Sequence, residues 1–181
     1  MDADQDAIQY FCEQFGAVVD AVWPEDADIR AYPAFLQTFW RAVGFGARQD
    51  GFLWLVDPKD MTWFTPMFGL SEDLIPFART SFGDVHLFDR NGHCFFFSPN
   101  YRELMEIATS FETAVMTLSE PDYIEDDELF ARHQAVWAQG QRIDARTCFC
   151  LSPAVPFGGH ERTSEIYVGA LQAYLHLLSQ G

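Results

Sequence analysis

Lysine is nearly missing from this 181-residue chain, and Lys59 is the single one. No lysine or arginine precedes Arg30, by which point eight acids have been placed. With 27 acids against 11 lysines and arginines, the net charge is -16 at pH 7. Phosphate backbones are repelled by such a chain, which argues against direct nucleic-acid binding. Long apolar runs are missing too: none approaches the roughly 20 residues that span a bilayer. The opening "MDADQDAIQY" carries acids where a secretory signal needs positive charge. The four cysteines (Cys12, Cys94, Cys148, Cys150) are scattered rather than framed as a disulfide scaffold. Together these features lead us to expect a reduced, cytoplasmic protein that makes no use of a membrane.

Aromatic residues, by contrast, are plentiful. They make up 16% of the chain, with 18 phenylalanines, and 49% of all residues are hydrophobic. That is enough to build a large core and excludes intrinsic disorder. A folded chain of this mass exposes roughly 8,900 Å². Spread evenly, the net charge would place one or two charges on an interface side of about 800 Å². The segment "SEPDYIEDDE" (119–128) holds six carboxylates, several-fold more. Such a density steers a basic partner toward docking, or else keeps an aromatic-rich domain soluble. Residues 1–128 carry a net charge of -17 and residues 129–181 a net charge of +1.

Periodicity supplies the elements. Ile8, Phe11, Cys12, Phe15, Val18, Val19 and Val22 recur at helical steps, ended by "WPEDAD" (23–28). Pro33 opens a second helix, "AFLQTFWRAV", which stops at Gly44. "GFGARQDG" reads as a loop and "FLWLV" (52–56) as a strand. Short strands follow near 74–80, 84–89 and 93–98, the last two joined at Asn91-Gly92. Residues 101–118 and 128–139 show helical spacing, "TCFCL" (147–151) reads as a strand and "EIYV" as another, and a last helix carries Val168, Leu171, Tyr174, Leu175 and Leu178. The expected fold is α+β: a largely antiparallel sheet with packed helices, forming one compact unit of two subdomains, 1–100 and 101–181.

The chemistry-bearing stretches do not converge. A two-residue turn at Asn91-Gly92 would set Arg90 opposite His93, Phe88 opposite Phe95 and His86 opposite Phe97. His86 and His93 would then share a sheet face four rows apart, about 13 Å at ~3.3 Å per residue. A single metal needs each nitrogen within roughly 2.1 Å, so these two cannot share one. Cys148 and Cys150 fall on one face of a strand and read as small core residues. "FGGHERTS" (157–164) lacks the lysine and spacing of a phosphate loop, and no serine sits in a nucleophile elbow. Adjacent exposed acids lack the burial that tunes a general acid or base. No catalytic residue, metal or cofactor is therefore assigned, and a binding protein is expected rather than an enzyme.

Four stretches, "WRAVGFG" (40–46), "GFLWLVDP" (51–58), "FARTSFGDVHLF" (77–88) and "SPAVPFGGH" (152–160), resemble bacterial immunity proteins of type VI secretion systems. In that family a GAD-like N-terminal half is joined to a C-terminal half of formerly unknown function. The resemblance implies a non-enzymatic protein that binds a cognate secreted nuclease (DNase) toxin in the producer's cytoplasm. The acidic excess then has a use, because a nuclease is basic where it tracks phosphates. The candidate docking residues are Glu120, Asp122, Tyr123, Glu125, Asp126, Asp127 and Glu128, with Glu25, Asp26 and Asp28 as a second patch. Tyr123 is either an interface anchor or a residue packed beneath its own loop. Inhibition by plugging the toxin's active site and inhibition by deforming its fold both fit. Two other readings share parts of this pattern: an acidic DNA mimic that regulates a DNA-binding protein, and a hydrolase built on His86 or His133.

Overall fold

The computed structural model describes residues 3–15, 21–125 and 128–181. Six strands, β1 (Gly46–Arg48), β2 (Leu53–Leu55), β3 (Ile75–Thr80), β4 (Val85–Phe88), β5 (Cys94–Ser98) and β6 (Glu103–Ala108), form one antiparallel sheet in sequence order. A two-stranded sheet pairs β7 (Thr147–Ser152) with β8 (Glu165–Ala170). The helices are α1 (Ala3–Phe15), α2 (Asp26–Ile29), α3 (Ala34–Val43), α4 (Phe64–Phe68), α5 (Phe111–Ser119), α6 (Pro121–Glu125), α7 (Glu128–Ala138) and α8 (Leu171–Leu178). The mixed, antiparallel fold class read from the sequence is the one observed. The accessible surface is 8889 Å², the area a compact chain of this mass should expose.

Alternation along β4 explains the layering. Phe88 joins the core shared with α1, α3 and α5, whereas Val85 and Leu87 join the core shared with α4 and α8. The sheet is thus covered on both faces, and every residue of β3 and β4 is buried. On the first face Phe39 meets Phe11 at 5.2 Å and Phe111 at 5.7 Å, and Phe77 meets Phe88 at 4.4 Å. Strand β7 contributes to both cores, Phe149 and Leu151 to one and Cys148 and Cys150 to the other. It is fastened to the β3–β4 turn by the Phe149 amide, which donates to the Ser81 carbonyl at 2.8 Å. That turn needs Gly83 at φ +95°, where an added Cβ would sit 2.9 Å from Leu175 Cδ2.

Several expectations change. The hairpin after β4 closes with three residues, not two: Phe88 pairs with Cys94 and His86 with Phe96. Asp89 is the reason, since its carboxylate accepts from the amides of Asn91 (2.8 Å) and His93 (2.9 Å), with Gly92 at φ +92°. His86 and His93 therefore point to opposite faces, which separates them by a different route from the one expected. The stretch 101–118 is not one helix. Its first half is the edge strand β6 and only its second half is helical, because Leu104, Ile107 and Ala108 satisfy helical spacing by coincidence while Leu104 and Met105 stay exposed. Part of the expected loop "GFGARQDG" is strand β1, paired to β2. Of the long first helix, α1 reaches Phe15, Val18 and Val19 lie outside the described residues, and Val22 is 66% exposed in a bridge with Phe45. The sheet continues through β6, past position 100, and α1 packs on α5, so the segments before and after that point share a core.

Candidate functional site

The acidic stretch is folded. Ser110 caps α5, its hydroxyl accepting from the Thr113 amide at 3.2 Å, and α5 ends at Glu120 in an extended conformation. Pro121 then opens α6, where a missing amide costs nothing. This short helix buries Ile124 against the core and leaves Asp122 outward. Tyr123 is half-buried, and its hydroxyl lies 3.1 Å from His86 Nε2, within hydrogen-bonding reach of the sheet. The carboxylates around it differ in commitment. Glu120 is exposed and accepts from the Tyr10 hydroxyl at 3.1 Å, which ties the patch to α1. Glu128, at the start of α7, receives both Nε (2.8 Å) and Nη2 of Arg162. Asp126, Asp127 and the side chain of Glu125 lie outside the described residues.

The second patch is arranged otherwise. Glu25 is exposed, but Asp26 meets Arg41 at 2.8 Å and Asp28 is paired with Lys59. The only lysine is thus committed to one of these acids. Exposed pairs of this kind stabilise little, so their effect is to quench local charge. Glu25, Glu120 and Asp122 are consequently the less neutralised of the described candidates.

The core also holds buried polar groups that the charge pattern did not signal. His86 is 2% exposed, ringed by Phe77, Phe96 and Tyr123, and burial lowers its pKa to about 3, so it is neutral at pH 7. Its Nδ1 has no hydrogen-bond partner among the described residues. His133 is 1% exposed, with Nδ1 3.1 Å from Ser81 Oγ and Nε2 3.1 Å from the Asp50 carbonyl. Burial lowers its pKa, opposed by the Asp50 carbonyl. Arg79 is fully buried, and it donates to the carbonyls of Thr80 (3.1 Å), Asp144 (2.8 Å) and Thr147 (3.1 Å). Desolvation lowers its pKa to about 10, which leaves it charged. Position 79 lies in the most distinctive of the four sequence stretches, the one signal that could have marked it. Among the described residues, no three histidine, cysteine, aspartate or glutamate side chains group as a metal site requires. No described helix is long and apolar enough to cross a membrane.

The family model of the GAD-like domain matches residues 6–98, just over half of the chain. The chain belongs to the GAD-like family. The GAD-like segment covers α1 to β5, so it ends one strand short of the sheet's edge. Among solved structures, the crystal structure of Atu4351 from Agrobacterium tumefaciens superposes with a TM-score of 0.75 at 13% identity. The match covers 95% of this GAD-like chain and 88% of that one, so the shared fold runs well beyond the GAD-like segment. No curated protein matches the chain in sequence.

Proposed function

We propose that this GAD-like protein is a non-enzymatic immunity protein that binds and neutralises a cognate type VI secreted DNase toxin in the bacterial cytoplasm. The observation that carries the reading is the placement of Asp122 on, and Glu120 immediately before, a short helix whose underside meets the core through Ile124 and Tyr123. Carboxylates on a folded mount present negative potential without the cost of ordering a loop. A nuclease must be cationic where it follows phosphates, so such a mount draws it in at a rate that falls as salt rises. The four sequence stretches and the GAD-like match support the same reading. Histidines 86 and 133, the groups a hydrolase would need, are packed in the core with roles in holding α6 and α7.

The test is co-expression with a candidate DNase toxin drawn from the genes that neighbour this one. Co-purification of the pair together with restored growth is the expected result. A nuclease that neither binds the chain nor is restrained by it would end the proposal, and turnover of a nucleic acid or ester by the purified chain would end its non-enzymatic part.

A further inference from the structure

A cleft of about 530 Å³ lies where the β1–β2 edge of the sheet meets the turn entering β7 and the start of α8. Phe45, Trp54 and Trp63 line it together with Asp57 and Asp60, and Arg146 comes from the C-terminal side. Its volume falls in the range of small-ligand sites. Both indoles are already oriented: Trp54 Nε1 donates to the Gly51 carbonyl and Trp63 Nε1 to the Asp60 carbonyl, each at 2.7 Å. They offer ring surface and no free donor. The Arg79 guanidinium stands 5.0 Å from the Trp54 ring, so a cation entering the cleft finds its aromatic partner at Trp63.

The charge at this end of the cleft is unbalanced. Asp57 is half-buried, and burial pushes its carboxyl above the usual range. The charges of Asp60 and Asp28 push it the same way, against the Lys59 amide and ammonium. That ammonium is already paired with Asp28. An arriving cation would relieve this repulsion, whereas Arg146 repels it from the other end and so orients it.

We propose that the cleft binds a small organic cation, an ammonium or guanidinium on an aryl or alkyl stem, with its charge at Asp57 and Asp60 and its stem against Trp63 and Phe45. The occupant is a free molecule, since the cleft is larger than one protein side chain fills. The cleft is separate from the acidic stretch, because none of residues 119–128 lines it.

The test is calorimetric titration of the full chain with phenethylammonium, tryptammonium and butylguanidinium. The anion 3-phenylpropanoate, close in shape to the first and opposite in charge, serves as control. At least one cation should bind at millimolar concentration or below, about tenfold or more tighter than the anion. Asp57→Asn with Asp60→Asn should abolish that preference while preserving the fold, since an asparagine at 57 can still accept from the Lys59 amide as Asp57 does at 3.0 Å. Trp63→Phe should weaken the cations and diminish the ligand-induced change in tryptophan fluorescence. Absence of heat with all three cations, equal binding of cation and anion, or an unaltered preference in the double variant would overturn the assignment. A lysine-rich peptide binding more tightly than the amines would overturn the small-molecule source.

Discussion

Helices α6 and α7 follow one another in sequence, yet they are fastened to the sheet in different ways. At α7, His133 has both ring nitrogens engaged, by Ser81 Oγ and the Asp50 carbonyl, and its ring stacks on Trp137 at 5.3 Å. At α6 the buried Ile124 is joined by a hydrogen bond between Tyr123 and His86, and the other imidazole nitrogen is unpartnered among the described residues. A buried polar group with all its partners is a rigid joint; one with half of them is a weaker joint that still fixes direction. The acids that face solvent differ in parallel. Glu128 on α7 is matched by Arg162, whereas Asp122 on α6 is exposed. The firmer helix thus carries the quenched charge and the lighter one the available charge.

The comparison can be broken by substitution. His133→Ala should have the largest effect, about 3 kcal/mol from the denaturation midpoint, because it removes ring contacts with Phe52, Trp137 and Phe149 and strands two hydrogen-bonding groups. Acid comes next. His86 and His133 are held neutral in the fold, so below the ordinary histidine pKa of about 6.5 the unfolded chain binds more protons and stability falls with pH. For His86 the loss amounts to roughly 2 kcal/mol by pH 5. In denaturation curves between pH 7 and pH 5, His86→Leu should flatten this slope even if it lowers stability at pH 7. A slope equal to that of the unaltered chain would contradict the assignment.

Tyr123→Phe removes only a hydroxyl and should cost about 1 kcal/mol. Amide exchange should quicken at Ile124 and hold steady at Val136. The smallest effect concerns docking and depends on the proposed function. Glu120→Lys with Asp122→Lys should slow association with the nuclease a few-fold at low salt, whereas replacing Glu128 and Arg162 together by alanine removes a balanced pair and should change it less. Equal slowing by both variants in stopped-flow measurements would erase the distinction between the helices.

Elements with local signals were readable from the residues. Pro33 and Gly44 bracket α3 as expected, and the stripes of α7 and α8 lie where 3.6-residue spacing puts them, except that Val168 belongs to β8. The failures have physical causes. Helical spacing cannot distinguish an exposed edge strand from a helix when apolar residues happen to fall three and four apart, as in β6. The turn after β4 was set by a side chain, Asp89, and a dipeptide rule does not weigh its carboxylate. The acidic segment was legible as charge and not as helix, because the contacts that fold it are distant: Tyr123 meets His86 across 37 positions and Glu120 meets Tyr10 across 110.

Arg79 bears on how such a fold can diverge. Each acceptor its guanidinium uses is a main-chain carbonyl, including those of positions 144 and 147. Those positions can exchange their side chains without withdrawing an oxygen from the lock, provided the chain keeps its path. A molecule joined this way records little of its joint in residue identity, which is one route by which a shared architecture can outlast nearly nine-tenths of its letters.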